Sequence, residues 1–172
     1  SISGTPLEDP VDALSNWLIA AVDCCDRLTD QGHEFDALNG QLSFELHLSN
    51  HYLVEVARVR ALHLLWANVQ KGWGSRTATQ PQLHLRIHPN ALIDDKYLNM
   101  IRITAIGMAG VLGGCDVLWL PPAGDKGDAF TRRISRNVQH LMVMESHLDL
   151  VADPAGGSYY LEALTQKLAE AA

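Results

Sequence analysis

Two short segments alternate strictly between apolar and polar residues, and their polar halves hold groups capable of chemistry. In Leu42-Ser43-Phe44-Glu45-Leu46-His47-Leu48 the polar set is Ser43, Glu45 and His47, with Ser49 next in phase. In Leu83-His84-Leu85-Arg86-Ile87-His88 it is His84, Arg86 and His88. Strand residues two apart share a side, so each segment has one apolar side and one polar side. Three chemistries fit a Ser, a Glu and three His gathered around one Arg. A wet channel or polar ligand would use the imidazoles, hydroxyl and guanidinium as hydrogen-bonding groups. A closed network would bond Glu45 to Arg86, since buried charges persist when paired. A metal site would draw on His47, His84 and His88, although no spacing in the sequence specifies one. No catalytic residue and no metal ligand is assigned on these grounds.

The elements that must position these groups alternate in type. A helix is expected from about Asp12 to Asp30, because Leu14, Trp17, Leu18, Ala21, Val22, Cys25 and Leu28 follow the three-four spacing of one buried face. Gly32 ends it, and a polar loop runs from His33 to Gly40. After the first strand, Asn50 is placed as the cap of a helix from Tyr52 to Lys71, closed by Gly72 and Gly74. Pro89 stops the second strand. The segment Tyr97 to Leu112 is apolar around most of its circumference and is expected to be buried on more than one side. Val117-Leu118-Trp119-Leu120 reads as a third strand, followed by a loop with Pro121, Pro122, Gly124 and Gly127. Asp128 caps a helix whose expected buried face is Phe130, Ile134, Val138 and Leu141. A short fourth strand is expected near Val151-Ala152, and Ser158 starts the last helix, to about Glu170. The fold class is therefore α/β: a helix followed by four parallel strand–helix units, α(βα)4, compatible with a doubly wound sheet or half of a (βα)8 barrel. In such folds the apolar sides of the strands face the helices. The polar sides face whatever the sheet encloses.

The totals bound the function. The 172 residues are 47% hydrophobic and 19% charged, enough apolar material for a real core. The net charge of −7 argues against nucleic acid or an anionic membrane as partner. No apolar run reaches bilayer-spanning length. Residues 1–10 contain no signal-peptide core, and the missing initiator Met suggests a processed or excised chain. Cys24, Cys25 and Cys115 make an odd count without framework spacing, which points to a reducing, cytoplasmic setting. Adjacent cysteines within an apolar stripe read as small core residues. The common metal, phosphate-loop and hydrolase signatures are absent.

Several longer runs resemble the acyl-CoA mutase barrel, as found in the methylmalonyl-CoA mutase family. Arg133-Ile134-Ser135-Arg136-Asn137-Val138-Gln139, Glu145-Ser146-His147-Leu148 and Val151-Ala152-Asp153-Pro154-Ala155-Gly156-Gly157-Ser158-Tyr159-Tyr160-Leu161-Glu162 are similar to that family's RIARNxQ…EES…VADPxxGSYYxE. Tyr97-Leu98-Asn99-Met100-Ile101-Arg102 and Met108-Ala109-Gly110-Val111-Leu112-Gly113-Gly114 resemble its YxNxxRxTxEAMxAVLGG. Leu42-Ser43-Phe44 resembles its RLSFF strand, and Arg58-Val59-Arg60-Ala61 with Leu65-Trp66-Ala67 its KLRAARxLWA helix. The resemblance covers nearly the whole chain from about residue 10. It implies a single domain over 1–172, the C-terminal half of an acyl-CoA-binding (βα)8 barrel, without the N-terminal half or the cobalamin domain. It further implies adenosylcobalamin-dependent rearrangement of an acyl-CoA threaded along the barrel axis.

The departures from the family pattern decide the subfamily. Where catalytic subunits resemble one another in a THCQTSGW-like loop whose Gln approaches the corrin, this chain has the shorter Ile87-His88-Pro89-Asn90-Ala91-Leu92. Trp119 stands where the family places a His, and Gln41 where it places an Arg. The DxHxxG motif that supplies a His to cobalt is not present. The resemblance is thus to the non-catalytic small subunit, which would pair with a large catalytic subunit and would not itself bind adenosylcobalamin. Only Ser43 and His88 carry over as substrate-binding candidates; Glu45, His47, His84 and Arg86 are read as polar barrel-facing residues. A half-barrel with open edges is also expected to self-associate, or to meet the missing half of its barrel.

Overall fold

A computed structural model describes residues 2–3, 9–77, 79–124 and 128–172. The elements run β1 (Ile2–Ser3), α1 (Pro10–Asp30), α2 (Phe35–Asn39), β2 (Ser43–Leu48), α3 (Tyr52–Gly72), β3 (Gln82–Ile87), α4 (Lys96–Gly113), β4 (Val117–Trp119), α5 (Ala129–Met144) and α6 (Tyr159–Ala171). The strands form one parallel sheet in the order β1-β2-β3-β4. Phe44, Leu46 and Leu48 alternate with half-buried residues along β2, as do Leu83, Leu85 and Ile87 along β3. These apolar sides are buried in the core with Trp17, Leu62, Trp66 and Ile103 from the helices. The chain is a parallel α/β arrangement, as the alternation predicts, of the partial-barrel kind that the resemblance implies.

Glycines set how closely α4 lies on the sheet. A Cβ at Gly110 would meet Leu85 at 3.0 Å and Leu48 at 3.1 Å, and one at Gly113 would stand 2.7 Å from the Val59 Cβ. The helix is buried on more than one side, as expected: Gly110 meets the sheet, Gly113 meets Val59 of α3, and Gly107 meets Leu120 and, from α5, Met142. The glycine side, with Ile103 and Ile106, faces inward, while Tyr97, Ile101 and Met108 are exposed.

Four expectations change. The expected strand near Val151-Ala152 does not form. Its backbone is spent on local turns, with Leu150 N–H bonded to His147 O, Gly156 N–H to Asp153 O, and the Asp153 carboxylate accepting from Ala155 N–H. The stretch read as polar loop contains α2, held by Phe35 stacked on Trp73 at 4.7 Å. Helix α3 begins after His51 without a side-chain cap, so Asn50 does not cap it. Helix α5 buries Val138 and packs Ile134 against the core as expected, but it also buries Thr131, Ser135 and Met142 and leaves Phe130 and Leu141 exposed. Its hydroxyls tolerate burial because Ser135 Oγ donates to Pro121 O at 2.6 Å and Thr131 Oγ1 to Asp128 O at 3.1 Å. Asp128 does cap α5, accepting from Phe130 N–H. Gly127 of the expected loop lies outside the described residues.

Candidate functional site: the polar face of the sheet

The half of β2 and of β3 turned away from the helices carries the polar residues. Parallel register sets Glu45 beside His84 and His47 beside Arg86, and then His84 beside Val117 and Arg86 beside Trp119. Arg86 reaches diagonally across the pleat, its Nε 2.9 Å from Glu45 Oε1. Straight across, its guanidinium carbon lies 5.2 Å from the centre of the Trp119 ring, within cation–π range. His47 Nε2 lies 3.8 Å from the same Glu45 oxygen. The His47 and His88 rings meet edge to face at 5.9 Å. Trp119, Arg86, Glu45, His47 and His88 therefore form one continuous run of contacts across three strands.

Two imidazoles of the run are constrained. Burial, with His88 alongside, holds His47 below the ordinary histidine pKa against the opposing pull of Glu45. Its Nδ1 is buried without a hydrogen-bond partner among the described residues. His88 Nδ1 accepts from Asn90 N–H at 3.2 Å, within the turn Pro89–Ala91 that follows β3. Ser43 opens β2 level with Gln82, and His88 follows the end of β3. The two substrate-binding candidates are thus about 20 Å apart along the strands, at ~3.3 Å of rise per residue. The fold gathers Glu45, His47, Arg86 and His88, sets His84 beside Glu45, and leaves Ser43 at the far end.

Arg86 is met by Glu45 at Nε and by the Trp119 ring on one face, and His47 and His88 each have Nδ1 turned into protein. Among the described residues no cluster of three His, Cys, Asp or Glu could hold a metal ion. The three cysteines are free. Cys25 is buried on the core side of α1, and burial pushes the Cys115 thiol up to about 11. No helix among the described residues is long and apolar enough to cross a membrane.

The sequence reading missed two polar centres beneath the sheet. In the first, Glu55 and Arg58 of α3 form an ion pair with each residue 2% exposed. Glu55 accepts from Ser49 N–H (2.9 Å) and Oγ (2.6 Å), while Arg58 Nη2 donates to His47 O at 2.7 Å. The pair fastens α3 to the end of β2, directly behind His47. The spacing of an acid and a base three apart on a helix was the available signal. In the second, Arg60 binds Asp153 through Nη1 and Glu162 through Nη2 (2.8 Å). The run Val151–Glu162 is thus a clamp that closes the approach to α6 onto α3.

The Arg60 clamp has a definite pH signature. Its hydrogen bond and charge hold the Asp153 carboxyl below the ordinary carboxylate range. A depressed native pKa contributes stability above the unfolded value, about 3.9, and loses it as pH falls through the native one. Asp153→Asn is expected to lower the urea midpoint at pH 7 and to cost progressively less below pH 4. A deficit that is constant from pH 7 to pH 3 would contradict this.

A parallel sheet covered by helices on one side, with a polar opposite face, defines a segment of a (βα) barrel domain. Its family is shown by comparison: the methylmalonyl-CoA mutase family model matches residues 2–172, and the chain belongs to that family. It is similar to the methylmalonyl-CoA mutase small subunit of Streptomyces virginiae, at 35% identity over 159 residues covering 90% of this chain and 26% of that protein. It is similar to the small subunit of Porphyromonas gingivalis at 31% identity, covering 86% and 25%. The probable mitochondrial methylmalonyl-CoA mutase of Caenorhabditis elegans is 33% identical, covering 100% and 25%. The chain spans about a quarter of the length of these relatives.

Proposed function

We propose that this chain forms one domain of the small, non-catalytic subunit of an adenosylcobalamin-dependent methylmalonyl-CoA mutase. That enzyme interconverts methylmalonyl-CoA and succinyl-CoA in the cytoplasm, and this chain supports a large catalytic subunit. The observation that carries the reading is the engagement of Arg86 by Glu45 and Trp119, which commits the polar face to its own side chains. Gln41, Asn90 and Trp119, at positions where catalytic relatives are expected to contact substrate or corrin, support it further. Similarity to relatives named as small subunits agrees with it. The open side of β4, where Val117 and Trp119 are each about half exposed, offers a surface for a partner or a second copy.

A second reading, an active acyl-CoA mutase barrel whose cobalamin domain lies elsewhere, is favoured by similarity to relatives named simply as mutases. Spectroscopic titration of adenosylcobalamin into the full chain, with and without the large subunit, separates them. The proposal expects spectral change only with the large subunit present. Saturable change with this chain alone would support the second reading.

A further inference from the structure

The carboxylate of Glu45 meets Arg86 at Nε, so an external anion reaching the half-exposed guanidinium would find a counter-charge already in place. We propose that Glu45 is a built-in counter-anion that sets the specificity of the polar face by excluding anionic ligands. The proposal rests on the non-catalytic reading above and assigns that property to one residue. Three observations carry it. The guanidinium is the one Arg or Lys side chain on this face of β2, β3 and β4, and Glu45 meets it at 2.9 Å. Trp119 lies against the guanidinium from the neighbouring strand and takes up one of its faces. The remaining groups on this face are imidazoles: burial lowers the pKa of His47, His88 Nδ1 accepts from Asn90 N–H, and His84 stands beside Glu45. An anion arriving at this face would meet a neutralised pair and a second carboxylate oxygen. Desolvating it there would be uncompensated.

The geometry also gives Trp119 a reporting role, because its indole touches the group an anion would engage. Fluorescence of the full chain, titrated with inorganic pyrophosphate and separately with coenzyme A, tests the proposal, with Trp119→Phe identifying the signal. Wild-type protein is expected to respond to either only weakly, at high concentration. Glu45→Gln removes the counter-anion while keeping the side-chain volume. It is expected to raise anion affinity roughly five- to tenfold, the scale of one partly exposed charge contact. Adding Arg86→Gln to that variant should abolish the gain. Glu45→Asp, which retracts the carboxylate by one methylene, keeps the measurement available if Glu45→Gln does not fold, and should give a smaller gain. Saturable wild-type binding equal to that of the variants would overturn the proposal. So would a folded Glu45→Gln or Glu45→Asp protein that binds no better than wild type. Either failure leaves the non-catalytic reading to its own test, because adenosylcobalamin absorbance does not depend on anion binding at Arg86.

Discussion

Trp66→Ala is expected to lower stability by about 5 kcal/mol, combining the ~3–5 kcal/mol of a truncated core aromatic with the loss of a buried partner. Trp66 is fully buried, packs edge to face on Phe44 at 5.4 Å, and donates from Nε1 to Asn39 Oδ1 at 2.9 Å. Asn39 in turn donates to Gln70 Oε1, and Gln70 donates to Thr79 O. One side chain therefore holds the sheet to α3 and also anchors a polar chain linking α2 to the approach of β3. Removing the indole leaves a cavity and an unpaired Asn39 oxygen. Trp66→Phe retains most of the volume and loses only the hydrogen bond, so its cost should be about 1–2 kcal/mol. Urea denaturation of both variants measures the difference. Equal costs would mean that packing around the indole contributes little.

Arg58→Met is expected to cost about 3–5 kcal/mol, the penalty for leaving one member of a buried ion pair uncompensated. Burial lowers the pKa of Arg58, and its contact with Glu55 acts in the opposite direction. The guanidinium also lies 5.0 Å from the centre of the Trp17 ring, so the substitution loosens α1 from α3 as well. Replacing both partners, Glu55→Gln with Arg58→Met, should recover part of the loss, because no lone buried charge remains. A double variant less stable than Arg58→Met alone would show that Glu55 acts through Ser49, independently of Arg58.

Much of the fold is legible in the sequence because the two strands that organise it, 43–48 and 82–87, keep a strict period of two. That alternation is enough to assign which residues share a face. The closing segment is harder. Val151 is a strand-favouring residue, yet Pro154, the Asp153 turn and the Arg60 clamp fix the local backbone in a different way. A tertiary ion pair between residues 93 positions apart leaves no local signal. Helix α5 shows another limit, since its polar Thr131 and Ser135 are inside and the larger Phe130 is outside. Periodicity places Ile134 and Val138 correctly and misses the two hydroxyl residues, whose burial rests on specific hydroxyl-to-carbonyl bonds. At the polar face, residue types and side are readable from the strands. The diagonal reach of Arg86 to Glu45 and the straight reach to Trp119 depend on the register between strands, which comes only from the assembled sheet.

The central claim, that this chain supports catalysis without performing it, is tested most directly by turnover. The full chain, supplied with adenosylcobalamin and methylmalonyl-CoA and freed of any large subunit, is assayed for succinyl-CoA. The account predicts no product above the protein-free control, with activity appearing only when the large subunit is added. Sustained formation of succinyl-CoA by this chain alone would contradict it.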